Sequence, residues 1–95
     1  MAKATLKYDF RCPDFCGQKP ETLYRVALEQ SEWADKKGFS QIQISEHHGS
    51  SDGYIPSPIT MLSAIAARTT RIRLQVCVLV IPYHDPIRIA EDLLC

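Results

Sequence analysis

Apolar positions change their period along the chain, and the changes mark out the elements. From Ala4 to Phe10 they alternate, with Leu6, Tyr8 and Phe10 on one face, which predicts a strand over 4–10. After a loop containing Pro13, Asp14 and Gly17 the repeat becomes helical, carried by Leu23, Val26, Ala27, Trp33 and Ala34. Pro20 suits a first turn, where its missing N–H costs nothing, and Glu21 complements the positive end of the helix dipole. Gly38, after Lys36 and Lys37, suits a left-handed C-cap, so a helix is expected over 21–37. Alternation then returns. Ile42 and Ile44 share one face of a strand predicted over 40–45, while Gln41 and Gln43 share the other, which must find polar partners or a cavity. Ser57-Pro58 reads as N-cap and first-turn proline of a helix over 58–69, with Ile59, Leu62, Ile65 and Ala66 as its apolar stripe. The strongest strand pattern runs over 72–80, and from Val76 onward both faces are apolar, as in a strand covered on both sides. Asp85-Pro86 repeats the cap-plus-proline device and opens a helix over 86–94.

The order is β-α-β-α-β-α, with Tyr8, Ile42 and Leu74 spaced 34 and 32 residues apart. Crossovers long enough to hold a helix require parallel strands, so the fold class is α/β. A doubly wound sheet and an eightfold barrel both begin this way. Dividing a barrel of about 250 residues by this period gives about eight units. The expectation is therefore the N-terminal three β/α units of a (β/α)8 TIM barrel, truncated, with residues 1–95 forming a partial domain.

Composition narrows the function. With 11 Lys+Arg against 11 Asp+Glu there is no surplus of positive charge to neutralise a nucleic-acid backbone. The longest apolar run, Val76 to Pro82, is seven residues, against the roughly 20 that a membrane span needs, and the first ten residues lack the apolar stretch of a secretory signal. A soluble, cytoplasmic protein is expected, without nucleic-acid or membrane partners. Cys12, Cys16, Cys77 and Cys95 are too sparse for a disulfide framework and read as free thiols. Cys12 and Cys16 have the spacing of the first half of a radical iron-sulfur motif, but lysine stands at position 19 where the third cysteine belongs. No glycine-rich phosphate loop follows any strand. Arg68, Arg71 and Arg73 form a small basic cluster that reads as a solvated face or as ion-pair partners.

In α/β folds ligands gather at the C-terminal ends of the strands. Three segments meet there: Phe10 to Cys16, Ser45 to Tyr54 and Leu79 to Asp85. The densest chemistry is Ser45-Glu46-His47-His48-Gly49, where an imidazole beside a carboxylate could supply a general base near neutral pH. The plainer reading is that one histidine packs while the other faces solvent. A metal site, with His84 and Asp85 completing a cluster, is disfavoured because adjacent His47 and His48 point to opposite sides of an extended chain. No metal is expected.

Taken in order, Trp33-Ala-Asp-Lys-Lys-Gly-Phe39, Ser45-Glu-His-His-Gly49, Ala66-Ala-Arg-Thr-Thr-Arg-Ile-Arg73, Leu79-Val-Ile-Pro82 and His84-Asp-Pro-Ile-Arg-Ile-Ala-Glu-Asp92 resemble the N-terminal portion of the luciferase-like flavin-dependent monooxygenases. The resemblance runs from the first strand to residue 92. It implies a (β/α)8 barrel and a reduced flavin, FMN or in some branches a deazaflavin, at the C-terminal mouth. It implies His47 as the catalytic acid/base beside the flavin, and Cys77 and Val78 as a cofactor-binding pair joined by an unusual cis peptide. It further implies oxidation of a small organic substrate with O2 in the full-length protein, a flavin reductase as partner and a homo-oligomer. Hydride transfer in a deazaflavin branch and a non-catalytic α/β interaction module are the alternatives. The chain departs from the family pattern at Gln75, where members often carry glycine, and nothing in it matches the flavin phosphate site, which later strands normally supply.

Overall fold

Each strand is four residues long, and its ends are set by whatever takes over the backbone hydrogen bonds. The computed structural model describes residues 2–95 and places β1 at Thr5–Tyr8, α1 at Pro20–Lys37, β2 at Gln41–Ile44, α2 at Pro58–Ala66, β3 at Arg73–Val76 and α3 at Pro86–Leu94. Single 3-10 turns lie at Asp14–Cys16 and Ile81–Tyr83. Met1 lies outside the described residues. The strands form one parallel sheet in the order β1-β2-β3, with Leu6 opposite Ile42 and Ile42 opposite Leu74. The parallel arrangement expected from the 34- and 32-residue spacing is the one observed.

One face of the sheet carries the core. Ile42 and Ile44 are fully buried against Ala27 and Ala34 of α1 and Met61, Leu62 and Ile65 of α2, with Phe10, Ile55 and Ile72 closing the cluster. Burial of each large aliphatic side chain contributes about 1.5–3 kcal/mol. The glutamine face of β2 finds the polar partner its composition requires: Gln43 Nε2 donates to Gln75 Oε1 at 2.7 Å across the β2–β3 pair. Ile89 of α3 is buried but lies outside that cluster.

A buried carboxylate ties two of the sequence motifs together. Asp35, in the last turn of α1, accepts hydrogen bonds from the backbone N–H groups of Thr70, Arg71 and Ile72 and from the Thr70 hydroxyl, fastening the α2–β3 connection. The Thr70 N–H contributes most, and with the other donors it outweighs burial and holds the Asp35 carboxyl below its ordinary range. Arg71 returns a bond to the Asp35 carbonyl at 2.9 Å, and Arg68 lies 3.5 Å from Glu32, so two arginines of the basic cluster have partners. Gly38, at φ 80°, closes α1 as expected from its place after the two lysines.

Several boundaries differ from the periodicity reading. β1 stops at Tyr8 rather than residue 10 because the Asp9 carbonyl turns to accept from Ile55 N–H and Phe10 adopts φ 61°. The strand predicted over 72–80 ends at Val76. The Cys77 N–H still bonds the Ile44 carbonyl, but the Val80 N–H goes to Glu46, and Pro82 lies in a 3-10 turn. Val78 is 69% exposed, so the expectation of a strand covered on both sides fails there. α2 ends at Ala66, after which the Arg68 N–H makes a tighter i−3 bond to Ile65. Ser57 makes no side-chain capping bond, whereas Asp85 accepts from the Ile87 and Arg88 N–H groups at 2.9 and 3.0 Å. Among the described residues no helix is long and apolar enough to cross a membrane.

Candidate functional site

Parallel strands end on the same side, so the segments after Tyr8, Ile44 and Val76 come together at one mouth. Ser45 begins the central segment, and its hydroxyl donates to the Cys77 carbonyl at 2.9 Å, joining the ends of β2 and β3. The bond between Cys77 and Val78 is cis, with Cys77 half-buried and Val78 exposed.

Glu46 organises the histidines. Its side chain is buried, and it accepts from the Val80 N–H at 2.7 Å while the Nε2 atoms of His48 and His84 lie 2.6 and 2.9 Å from Oε1. Burial alone would raise its carboxyl, but the Val80 N–H and the two imidazoles prevail and hold it below the ordinary range. Glu46 is thus a carboxylate at neutral pH, and each imidazole presents a nitrogen to it. His48 also packs on Tyr83, with ring centroids 4.4 Å apart.

His47 is placed differently. Its main chain is anchored by a bond from its N–H to the Ile55 carbonyl, yet its ring is exposed and has no hydrogen-bond partner among the described residues. The ring lies 4.7 Å from Tyr54, and the Arg11 guanidinium sits 5.7 Å from the centre of that tyrosine on its way to Asp52. Arg11 Nε reaches Asp52 at 2.6 Å, and the Ser50 hydroxyl also donates to that carboxylate. The Ser50 bond, then Arg11, lowers the Asp52 carboxyl to about 2.

The neighbouring histidines therefore differ: the His48 ring is held at the Glu46 carboxylate, and the His47 ring has no hydrogen-bond partner among the described residues. Among the described residues no group of three or more His, Cys, Asp or Glu side chains is arranged to hold a metal ion.

Three participants went unassigned from the sequence. In the sequence Glu46 reads only as a carboxylate near the histidines, although continuing the Ile42-Ile44 alternation by two places puts it on the buried side. The partnership of Tyr54 with His47 and of Val80 with Glu46 depends on loops folding back, for which the sequence carries no local signal.

The model of the family described as luciferase-like monooxygenase matches residues 14–94. Over 75 residues the chain is 41% identical to 4-hydroxyprotoasukamycin monooxygenase of Streptomyces nodosus subsp. asukaensis, covering 79% of this chain and 20% of that protein. A monooxygenase structure from Streptomyces bottropensis superposes with a TM-score of 0.84 at 29% identity, covering 97% of this chain and 28% of that one. The oxygenating constituent of 3,6-diketocamphane monooxygenase from Pseudomonas putida, solved in complex with FMN, superposes at 0.81 with 21% identity over 95% of this chain and 24% of that one, a likeness of fold. The chain thus spans about a fifth to a quarter of the length of these proteins.

Proposed function

Because the chain belongs to the luciferase-like monooxygenase family, we propose that it forms part of a flavin-dependent monooxygenase, in which reduced FMN and O2 oxidise a small organic substrate, with His47 as the acid/base at the flavin. The observation that carries this reading is the contrast between the two histidines: His48 is committed to Glu46, while the His47 ring packs on Tyr54 and has no hydrogen-bond partner among the described residues.

The residues at the mouth suit the ring of a flavin. Val78 offers exposed apolar surface beside the end of β2, and Cys77 fixes that segment through its N–H to Ile44 and its carbonyl to Ser45. They do not suit its phosphate, since Arg11, in the loop that follows β1, is taken by Asp52. A reduced flavin, when bound, supplies the electron pair with which O2 is activated. His47 takes or returns a proton at an imidazole nitrogen, and Tyr54 limits how the ring turns. Glu46 keeps His48 and His84 from competing for that role and ties down the 77–84 segment through the Val80 N–H.

The test is substrate-dependent O2 uptake by the full-length protein with reduced FMN. His47→Ala is expected to lower turnover by roughly 100-fold while the fold is kept, the scale of a positioned acid/base, and His48→Ala to cost much less in the chemical step. Equal small losses from both substitutions would remove the assignment. Activity with reduced deazaflavin and none with FMN would replace oxygenation by hydride transfer, and purification without flavin, together with no flavin binding, would favour an interaction module.

A further inference from the structure

The loop after β1 holds a pair of thiols that the flavin reading does not use. The Cys12 and Cys16 sulfurs lie 3.3 Å apart across the 3-10 turn Asp14–Cys16, and the Cys16 N–H bonds the Pro13 carbonyl at 2.9 Å, which closes that turn. Gly17, at φ 66°, reverses the chain so that the Gln18 carbonyl faces the Cys12 sulfur at 3.3 Å. The loop is docked rather than free: the Cys12 N–H donates to the Asp52 carbonyl at 2.6 Å, and neighbouring Arg11 pairs with the Asp52 side chain. This places the thiol pair beside the loop whose Tyr54 packs on His47.

We infer that Cys12 and Cys16 form a peroxide-sensitive modification site, a dithiol that closes to a reversible intramolecular disulfide with Cys16 as the attacking sulfur and Cys12 as the resolving one. The order follows from exposure. Cys16 is open to solvent, whereas Cys12 is half-buried and turned toward the Gln18 carbonyl. The Cys16 contact, followed by burial, pushes the Cys12 thiol up, so it keeps its proton while the outer sulfur meets the oxidant. Cys16 attacks one oxygen of hydrogen peroxide, the O–O bond breaks, and the products are a sulfenic acid and one water. The Cys12 sulfur then attacks the Cys16 sulfur. The S–O bond breaks, the S–S bond forms, and the hydroxyl leaves with the Cys12 proton as a second water. In sum, two thiols and one peroxide give one disulfide and two waters, and a dithiol reductant reverses the change. Closing the bond brings the sulfurs from 3.3 Å to about 2.0 Å.

Trypsin allows a direct test on the purified chain, because cleavage after Arg11, Arg25, Arg73 and Arg88 puts Cys12 and Cys16 together in one peptide and Cys77 and Cys95 in two others. A Cys95→Ser background removes that exposed thiol from competition. After treatment with one equivalent of hydrogen peroxide and alkylation, the peptide from Cys12 to Arg25 is expected to lack both alkyl groups and two hydrogens, and to regain two alkylatable thiols with dithiothreitol. In Cys12→Ser, Cys16 is expected to accumulate as a sulfenic acid that dimedone traps. In Cys16→Ser, Cys12 is expected to react at least about tenfold more slowly. A doubly alkylated peptide after peroxide, or Cys16 joined to a second chain, would overturn the pairing. Equal reactivity of the two single variants would overturn the assigned order.

Discussion

Ile44 is the residue on which the placement of the mouth depends, and replacing it tests which face of the sheet the helices cover. Its side chain is 0% exposed in the central strand, and the next residues, Ser45 to His48, carry the site. Ile44→Ala removes three carbons, a transfer loss of about 2.4 kcal/mol at ~0.8 per carbon. The cavity left between β2 and the helices adds to this, for a total of about 2–5 kcal/mol. A domain of this size has about 5–14 kcal/mol of stability in all, so the substitution takes a large share. Urea unfolding followed by Trp33, whose ring lies 5.4 Å from Phe39, reads the change. With a urea dependence of about 1–3 kcal/mol per molar, a 3 kcal/mol loss lowers the midpoint by about 1–3 M. Ile87, 72% exposed on α3, is the control, and its alanine variant is expected to stay within about 0.5 kcal/mol of the parent. Equal shifts from the two substitutions, or a larger one from Ile87→Ala, would show that the covered face has been misidentified.

Other consequences follow from individual contacts. The Asp52 carboxyl is expected to titrate near 2 in a carbon-detected NMR experiment. Because its folded value lies below the unfolded one, its contribution to stability is present above about pH 4 and is lost as pH falls through about 2. Replacing Arg11 by alanine should move that titration upward, and an unchanged midpoint would remove the ion pair as a cause. Asp85→Ala deletes an N-cap that accepts from two backbone N–H groups and should cost about 1 kcal/mol in thermal or urea unfolding. Ile81, Tyr83, Ile87, Leu93 and Leu94 are all exposed, so the 95-residue chain is expected to associate with rising concentration in sedimentation; with Arg11 paired to Asp52 rather than open to a phosphate, it is expected to bind FMN no more tightly than about millimolar, which is about 4 kcal/mol. A monodisperse chain that bound FMN at micromolar concentration would contradict both expectations.

Local chemistry was enough to read the elements whose reasons are local. Gly38 after two lysines ended α1, Asp85-Pro86 opened α3, and the Ile/Gln alternation assigned the two faces of β2, because caps, prolines and period-2 burial act within a few residues. The even spacing of three strands then required parallel pairing. What the sequence could not decide was where each strand gives up its ladder. The segment from Val76 to Val80 reads as unbroken strand, yet the carboxylate of Glu46, more than thirty residues earlier, takes the Val80 N–H, and the chain turns away from the sheet. The same carboxylate separates His48 from His47, a distinction that two adjacent identical residues cannot carry by themselves. Backbone N–H groups near a buried carboxylate bond to it rather than to a neighbouring strand, because leaving the charge without donors costs more than shortening the ladder. That competition exists only once the tertiary structure has brought the groups together.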